Sequence, residues 1–192
     1  MEAAERRAEA VLAALPHWLW DGESLPVPVE AIADSHCGLL VRDVTDIAMT
    51  PGAPALEAGQ ALAGLLLTKR GEIWVNAEEA RQWPPRRRFT IGHELGHWVM
   101  HRSGRESVFC RSSTVQPDEP GPPRPSPPEP APDADIEDEA SAFAAALLMP
   151  ARLVRREYER DRTFERLCAR FDASAAAMGR RLHSVVPRTR IG

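Results

Sequence analysis

Apolar residues recur along this chain at two different periods, and the change from one to the other predicts its elements. Residues 2–15 mix alanine and leucine with Glu2, Glu5, Arg6, Arg7 and Glu9, the rhythm of an amphipathic helix that stops before Pro16. Pro26 and Pro28 mark a turn. Val29, Ile32 and Ala33 then share one face of a short helix over residues 29–36. The run GLLVRDV, residues 38–44, reads as a strand, and residues 48–61, with Pro51, Gly52, Pro54 and Gly59, read as loop. Two further strands, 62–68 and 72–76, flank Lys69, Arg70 and Gly71, which predicts a hairpin.

Beyond residue 76 the helical period takes over. Pro84 and Pro85 break the chain before a basic step at Arg86 to Arg88. A helix is expected over residues 90–102, with Thr90 as N-cap and Gly104 near its end. Residues 117–132 hold nine of the chain's 18 prolines and little apolar content, which reads as a disordered or polyproline-like insertion. Helices follow over 137–148, ended by Pro150, and over 151–160, 163–171 and 174–183. The pattern predicts an α+β fold, mostly helical, in which a few strands near residues 38–76 pack against the 90–102 and 137–149 helices. The expected organisation is one domain over residues 1–160, interrupted by the proline-rich insertion at 117–135. A C-terminal helical hairpin in 161–192 would pack on the same domain.

Composition narrows the function classes. A chain of 192 residues with 43% apolar content builds one ordinary domain. The net charge of -4 gives no general reason to expect direct nucleic-acid binding, which favours a net basic face. Cys37, Cys110 and Cys168 are far apart and form no C-x-x-C pair. Neither a disulfide framework nor a cysteine zinc cluster is indicated, and reduced thiols in a cytoplasmic protein are expected. The apolar run 10–15 is too short and too acid-flanked for a signal peptide, and no run of 18 apolar residues offers a membrane span.

The chemistry lies in His93-Glu94-Leu95-Gly96-His97. Two histidines four residues apart on a helix lie on one face, one turn apart, so both imidazoles can reach one zinc ion. Glu94 points away from His93 and can act on water as general base. Phe89, Ile91, Leu95, Trp98 and Val99 surround the motif as expected of a buried helix. A catalytic zinc needs a third protein ligand and an open position for water. His101 is excluded, because eight residues place it about 12 Å along the axis from His93. Glu139 is the favoured candidate, since it shares a stripe with Ala142, Phe143, Ala146 and Leu147, and a glutamate on an apolar face needs a partner or a metal. Glu137, roughly 200° away on the wheel, is the second choice.

The stretches RRRFTIGHELGHWVMH (86–101) and EASAFAAALLMP (139–150) together resemble the ImmA/IrrE family of zinc-dependent peptidases. LAGLLLTKRGEIWVN (62–76) is similar to that family's hairpin, and residues 28–33 are similar to its P-V-x-x-I-A segment. The resemblance implies a minimal zincin-like, thermolysin-like domain with Zn2+ as cofactor. His93 and His97 match the family's histidine ligands, Glu94 its catalytic glutamate, and Glu139 the acid opening its second motif. It implies an endopeptidase acting on a helix-turn-helix transcriptional repressor, which relieves repression in a mobile element or a stress response. Ser141 departs from the family's usual Asn, which puts local hydrogen bonding in question rather than metal binding.

Weaker features stay open at this level. Residues 163–185 have the rhythm of a helix-turn-helix, with Arg180 and Arg181 on the second helix. Cys110 could occupy the open zinc position. Tyr158, His183 and Arg152 could each stabilise an oxyanion, and the sequence does not choose among them. The rival reading is a non-catalytic zinc-containing regulator that binds a repressor or DNA without cleaving anything. A zinc hydrolase of non-peptide substrates is a third option.

Overall fold

A computed structural model describes residues 2–50, 60–102, 107–113 and 134–186. The proline-rich run at 117–132, the loop residues 51–59, Gly104 and the thiol of Cys110 lie outside the described residues. Helix α1 (Glu2–Ala14) is followed by one short turn, α2 (Val29–Ala31), that continues as a π turn through His36. The strands are β1 (Leu40–Val44), β2 (Gln60–Leu67), β3 (Glu72–Asn76) and β4 (Ser107–Ser113). Helices α3 (Ala77–Gln82) and α4 (Pro84–Met100) lie between β3 and β4. After β4 come α5 (Ala134–Leu148), α6 (Ala151–Arg160), α7 (Phe164–Phe171) and α8 (Ala175–Val185).

The four strands form one mixed sheet in the order β1-β3-β2-β4. The expected hairpin forms: β2 runs antiparallel to β3 with Leu67 opposite Glu72, and Gly71 closes it at φ 63°, a conformation that costs glycine little. β1 pairs with β3 in parallel, and β4 pairs with β2 antiparallel. The alternation of β3 explains its two faces. Ile73 and Val75 point into the main core, while Trp74 lies on the opposite face beside Leu65 and Ile47. The main core joins Leu66, Ile73 and Val75 of the sheet to Ile91 and Leu95 of α4, Phe143 and Leu147 of α5, and Phe171 and Met178 of the last two helices. Phe143 is fully buried, so truncation to alanine there costs about 3–5 kcal/mol.

Three elements differ from the sequence expectation. α4 begins at Pro84 rather than at Thr90, and Thr90 is a buried interior residue, not an N-cap. The prolines occupy the first helical positions, where a missing N–H and a fixed φ suit the helix start. Helix α3 was not foreseen. Asn76 caps it, its side-chain oxygen accepting from the backbone N–H groups of Glu78 and Glu79 at 3.0 and 3.3 Å. Strand β4 was also not foreseen, because its pairing with β2 is entirely non-local.

The elements are tied by arginines as well as by apolar contact. Arg181 of α8 is 5% exposed and donates to the Met149 carbonyl at 2.8 Å and to both Glu5 oxygens of α1 at 2.6 and 2.7 Å. A position that the helix-turn-helix rhythm offered for phosphate contact is therefore spent inside the fold. Arg87 at the start of α4 joins Glu30 and Asp43, binding α2 and β1 to that helix.

Candidate metal centre

Helix α4 carries the motif into the interior: every residue from Thr90 to His97 is buried. The close approach of α4 to α5 depends on small residues. A Cβ on Gly96 would lie 3.0 Å from the Ala140 Cα and carbonyl oxygen, and one on Gly92 would lie 3.3 Å from the Ala144 Cβ. Gly92 and Gly96 are one turn apart, as are Ala140 and Ala144, so two matched small surfaces meet.

That contact decides which acid reaches the imidazoles. Counting back one turn from Ala140 and Ser141 gives Glu137, and its carboxylate lies against both histidines. Oε2 is 3.2 Å from the His93 Nε2, and Oε1 is 3.2 Å from the His97 Nε2. Glu139, which the sequence favoured, turns aside: its Oε2 lies 2.9 Å from the His101 Nε2, and its side chain is 46% exposed. The apolar stripe misled because α5 is apolar on nearly all sides beyond residue 139. The face turned to α4 is marked by small residues, not by the largest ones.

His93, His97 and Glu137 thus form a group whose ligand-type atoms all lie within 4.8 Å of one another, a possible metal site. The two Nε2 atoms are 3.0 Å apart, so two ring nitrogens converge beside a carboxylate. Two imidazole nitrogens and one oxygen are a zinc-type donor set. Their spacing approaches the roughly 3.3 Å edge expected between ligands of a tetrahedral zinc. Burial raises the Glu137 carboxyl, but the hydrogen bonds and charges of His93 and His97 outweigh it and hold it at about 2.

Glu94 is the anomaly of the site. It is fully buried, and neither carboxylate oxygen has a hydrogen-bond partner among the described residues. Burial first, and then the charge of Glu137, push its carboxyl well above the usual range. Strand β2 leaves room for it at Gly64, where a Cβ would lie 2.5 Å from the Thr90 Cγ2 and 2.7 Å from the Glu94 Oε1. The β2–β4 register shifts between Leu62 and Gly64, next to this point, as irregularities near functional sites often do. A buried carboxyl that is unpaired and aimed beside a metal-type cluster is suited to exchange a proton with a reactant.

Of the remaining candidates, Arg152 is committed. Arg152 pairs with Glu23 and donates to the Gly22 carbonyl at 2.6 Å. His183 is exposed, and Tyr158 is buried in α6 beneath the Arg162 guanidinium. Ser141, noted in the sequence only as a departure, contacts the His93 Nδ1 at 3.2 Å.

The family model described as the peptidase M78, IrrE N-terminal-like domain matches residues 58–183. The chain belongs to this family. It is a metallopeptidase, and the His93, His97 and Glu137 cluster is consistent with the H-E-x-x-H…E site of such an enzyme. No individual curated protein matches the chain. The family match begins inside the sheet, so α1, α2 and β1 lie outside it, although β1 pairs with β3 and the buried Ala4 and Ala8 of α1 join the same core. Among the described residues no helix is long and apolar enough to cross a membrane.

Proposed function

We propose that the chain is a zinc-dependent endopeptidase of the cytoplasm in which His93, His97 and Glu137 hold the metal and Glu94 is the general base. The observation that carries this reading is the buried, unpartnered Glu94 carboxyl beside a convergent His-His-Glu group. A bound zinc ion supplies Lewis-acid polarisation of the scissile carbonyl and of water. Glu94 takes a proton from the attacking water and returns it to the leaving amine nitrogen, a double use that suits a carboxyl with a raised proton affinity. The burial of His93, Glu94 and His97 on α4 limits bulk water and strengthens each polar contact within the site.

The substrate reading rests on the resemblance to ImmA/IrrE peptidases: a helix-turn-helix repressor, cut so that repression is relieved. Residues 161–192 are read as part of the same domain, which the Arg181 contacts to Glu5 and Met149 support. A non-catalytic regulator would gain nothing from a buried carboxyl without a partner, so the structure favours the enzyme over that rival. The test is Glu94→Gln, with metal content and proteolysis of a repressor encoded beside the chain both measured. The variant should keep one zinc per chain while kcat falls about 10²–10⁴-fold. Wild-type cleavage by a zinc-loaded Glu94→Gln protein would rule the mechanism out, and an intact repressor after incubation with the wild-type enzyme would rule out the substrate.

A further inference from the structure

Both ring nitrogens of His93 are gripped by the same helix. Glu137 and Ser141 are four residues apart on α5 and so occupy one face, one turn apart. The Glu137 Oε2 lies 3.2 Å from Nε2, and the Ser141 Oγ lies 3.2 Å from Nδ1. His97 is held differently. Its Nδ1 is buried with no hydrogen-bond partner among the described residues. One imidazole of the pair therefore has a side chain assigned to its outer nitrogen, and the other does not.

A neutral imidazole carries one proton, on Nδ1 or on Nε2. In the metal-free site Glu137 is a strong acceptor beside Nε2 and pulls the proton to that nitrogen, the one a metal must take. An acceptor at Nδ1 opposes this. We propose that Ser141 is a positioning residue for the metal centre: its hydroxyl oxygen accepts from the His93 Nδ1–H and keeps the Nε2 lone pair directed at the ion. The inference rests on the reading of His93, His97 and Glu137 as the metal ligands. His93 is 4% exposed, so water cannot readily replace the hydroxyl. Outer-shell partners of this kind set ring tautomer and orientation at metal sites and are worth about 10–100-fold in metal affinity.

The experiment measures zinc dissociation constants by chelator competition for the wild type, Ser141→Ala and Ser141→Thr. Melting of each metal-free protein is followed alongside, with ring 15N shifts of His93 in the zinc-loaded forms. Ser141→Ala should weaken zinc about 10–100-fold with metal-free melting unchanged. Ser141→Thr, which restores a hydroxyl, should recover most of that loss, and the wild-type ring should show its proton on Nδ1. Equal zinc affinity in wild type and Ser141→Ala would overturn the inference and leave the metal centre standing. A loss that Ser141→Thr does not rescue would mark packing and overturn it as well. A wild-type chain without zinc affinity would overturn the metal-centre reading and this inference together.

Discussion

Glu157 and Glu94 are both closed off from solvent, and the fold treats them in opposite ways. Glu157 of α6 is 1% exposed and surrounded by guanidinium groups. Arg156 and Arg166 reach its two oxygens at 3.2 Å each, and Arg170 lies at 3.5 Å. Burial alone raises its carboxyl, but these arginines outweigh burial and lower it. Glu94 is 0% exposed and lies deeper, has no partner for either oxygen among the described residues, and is pushed up. The first carboxylate ties α6 to α7. The second is left with unused hydrogen-bonding capacity, which stability alone does not select. What separates a structural acid from a chemical one here is the environment each helix provides: half-exposed arginine side chains shield Glu157 near the surface, whereas Glu94 lies deep in the interior.

The sharpest way to break the comparison is through the metal. Glu137→Ala should remove zinc binding measured by metal analysis after dialysis, and peptidase activity with it. Glu139→Ala should keep both, because its partner is His101. The reverse result would return the ligand role to Glu139 and dissolve the link between small-residue packing and the choice of acid.

Stability gives the next contrast. Glu157→Gln leaves three arginines without their carboxylate and should cost about 1–3 kcal/mol in denaturant unfolding. Glu94→Gln removes a buried carboxyl that nothing satisfies and should leave the metal-free protein as stable as the wild type or more so. Equal losses from the two would erase the distinction.

Acid titration sharpens it further. Glu157 and Glu5 have folded pKa values below the ordinary 4.5, Glu5 chiefly through its hydrogen bond to Arg181. Such groups contribute stability fully above the unfolded value, and that contribution is lost as pH falls through the folded value. Melting followed below about pH 4.5 should therefore steepen downward in the wild type, and less so in Glu157→Gln. A pH dependence identical in the two proteins would deny Glu157 its role.

The smallest effect expected lies at the glycines. Gly96→Ala meets the backbone of Ala140 and should lower both the melting temperature and zinc affinity. Gly179→Ala meets nothing within 4 Å and should stabilise α8 by up to about 1 kcal/mol. Loss at both positions would mean that helix separation at the site is not special.

Much of this protein could be read directly from its residues. The His93, Glu94 and His97 spacing, the hairpin at Gly71 and the helical C-terminal half all follow from periodicity, and periodicity is a local property of the chain. Tertiary structure alone decided the rest. The rotation of α5 against α4 brings Glu137 and Ser141 to His93 and sends Glu139 to His101, and it is set by Gly92 and Gly96 meeting Ala140 and Ala144. β4 exists only through its pairing with β2, and Glu94 has no partner because the described elements folded around it offer no donor. A chain states which faces each helix can present. Which face meets which neighbour is settled by the closest approach two backbones can make, and that is a property of pairs of segments distant in sequence.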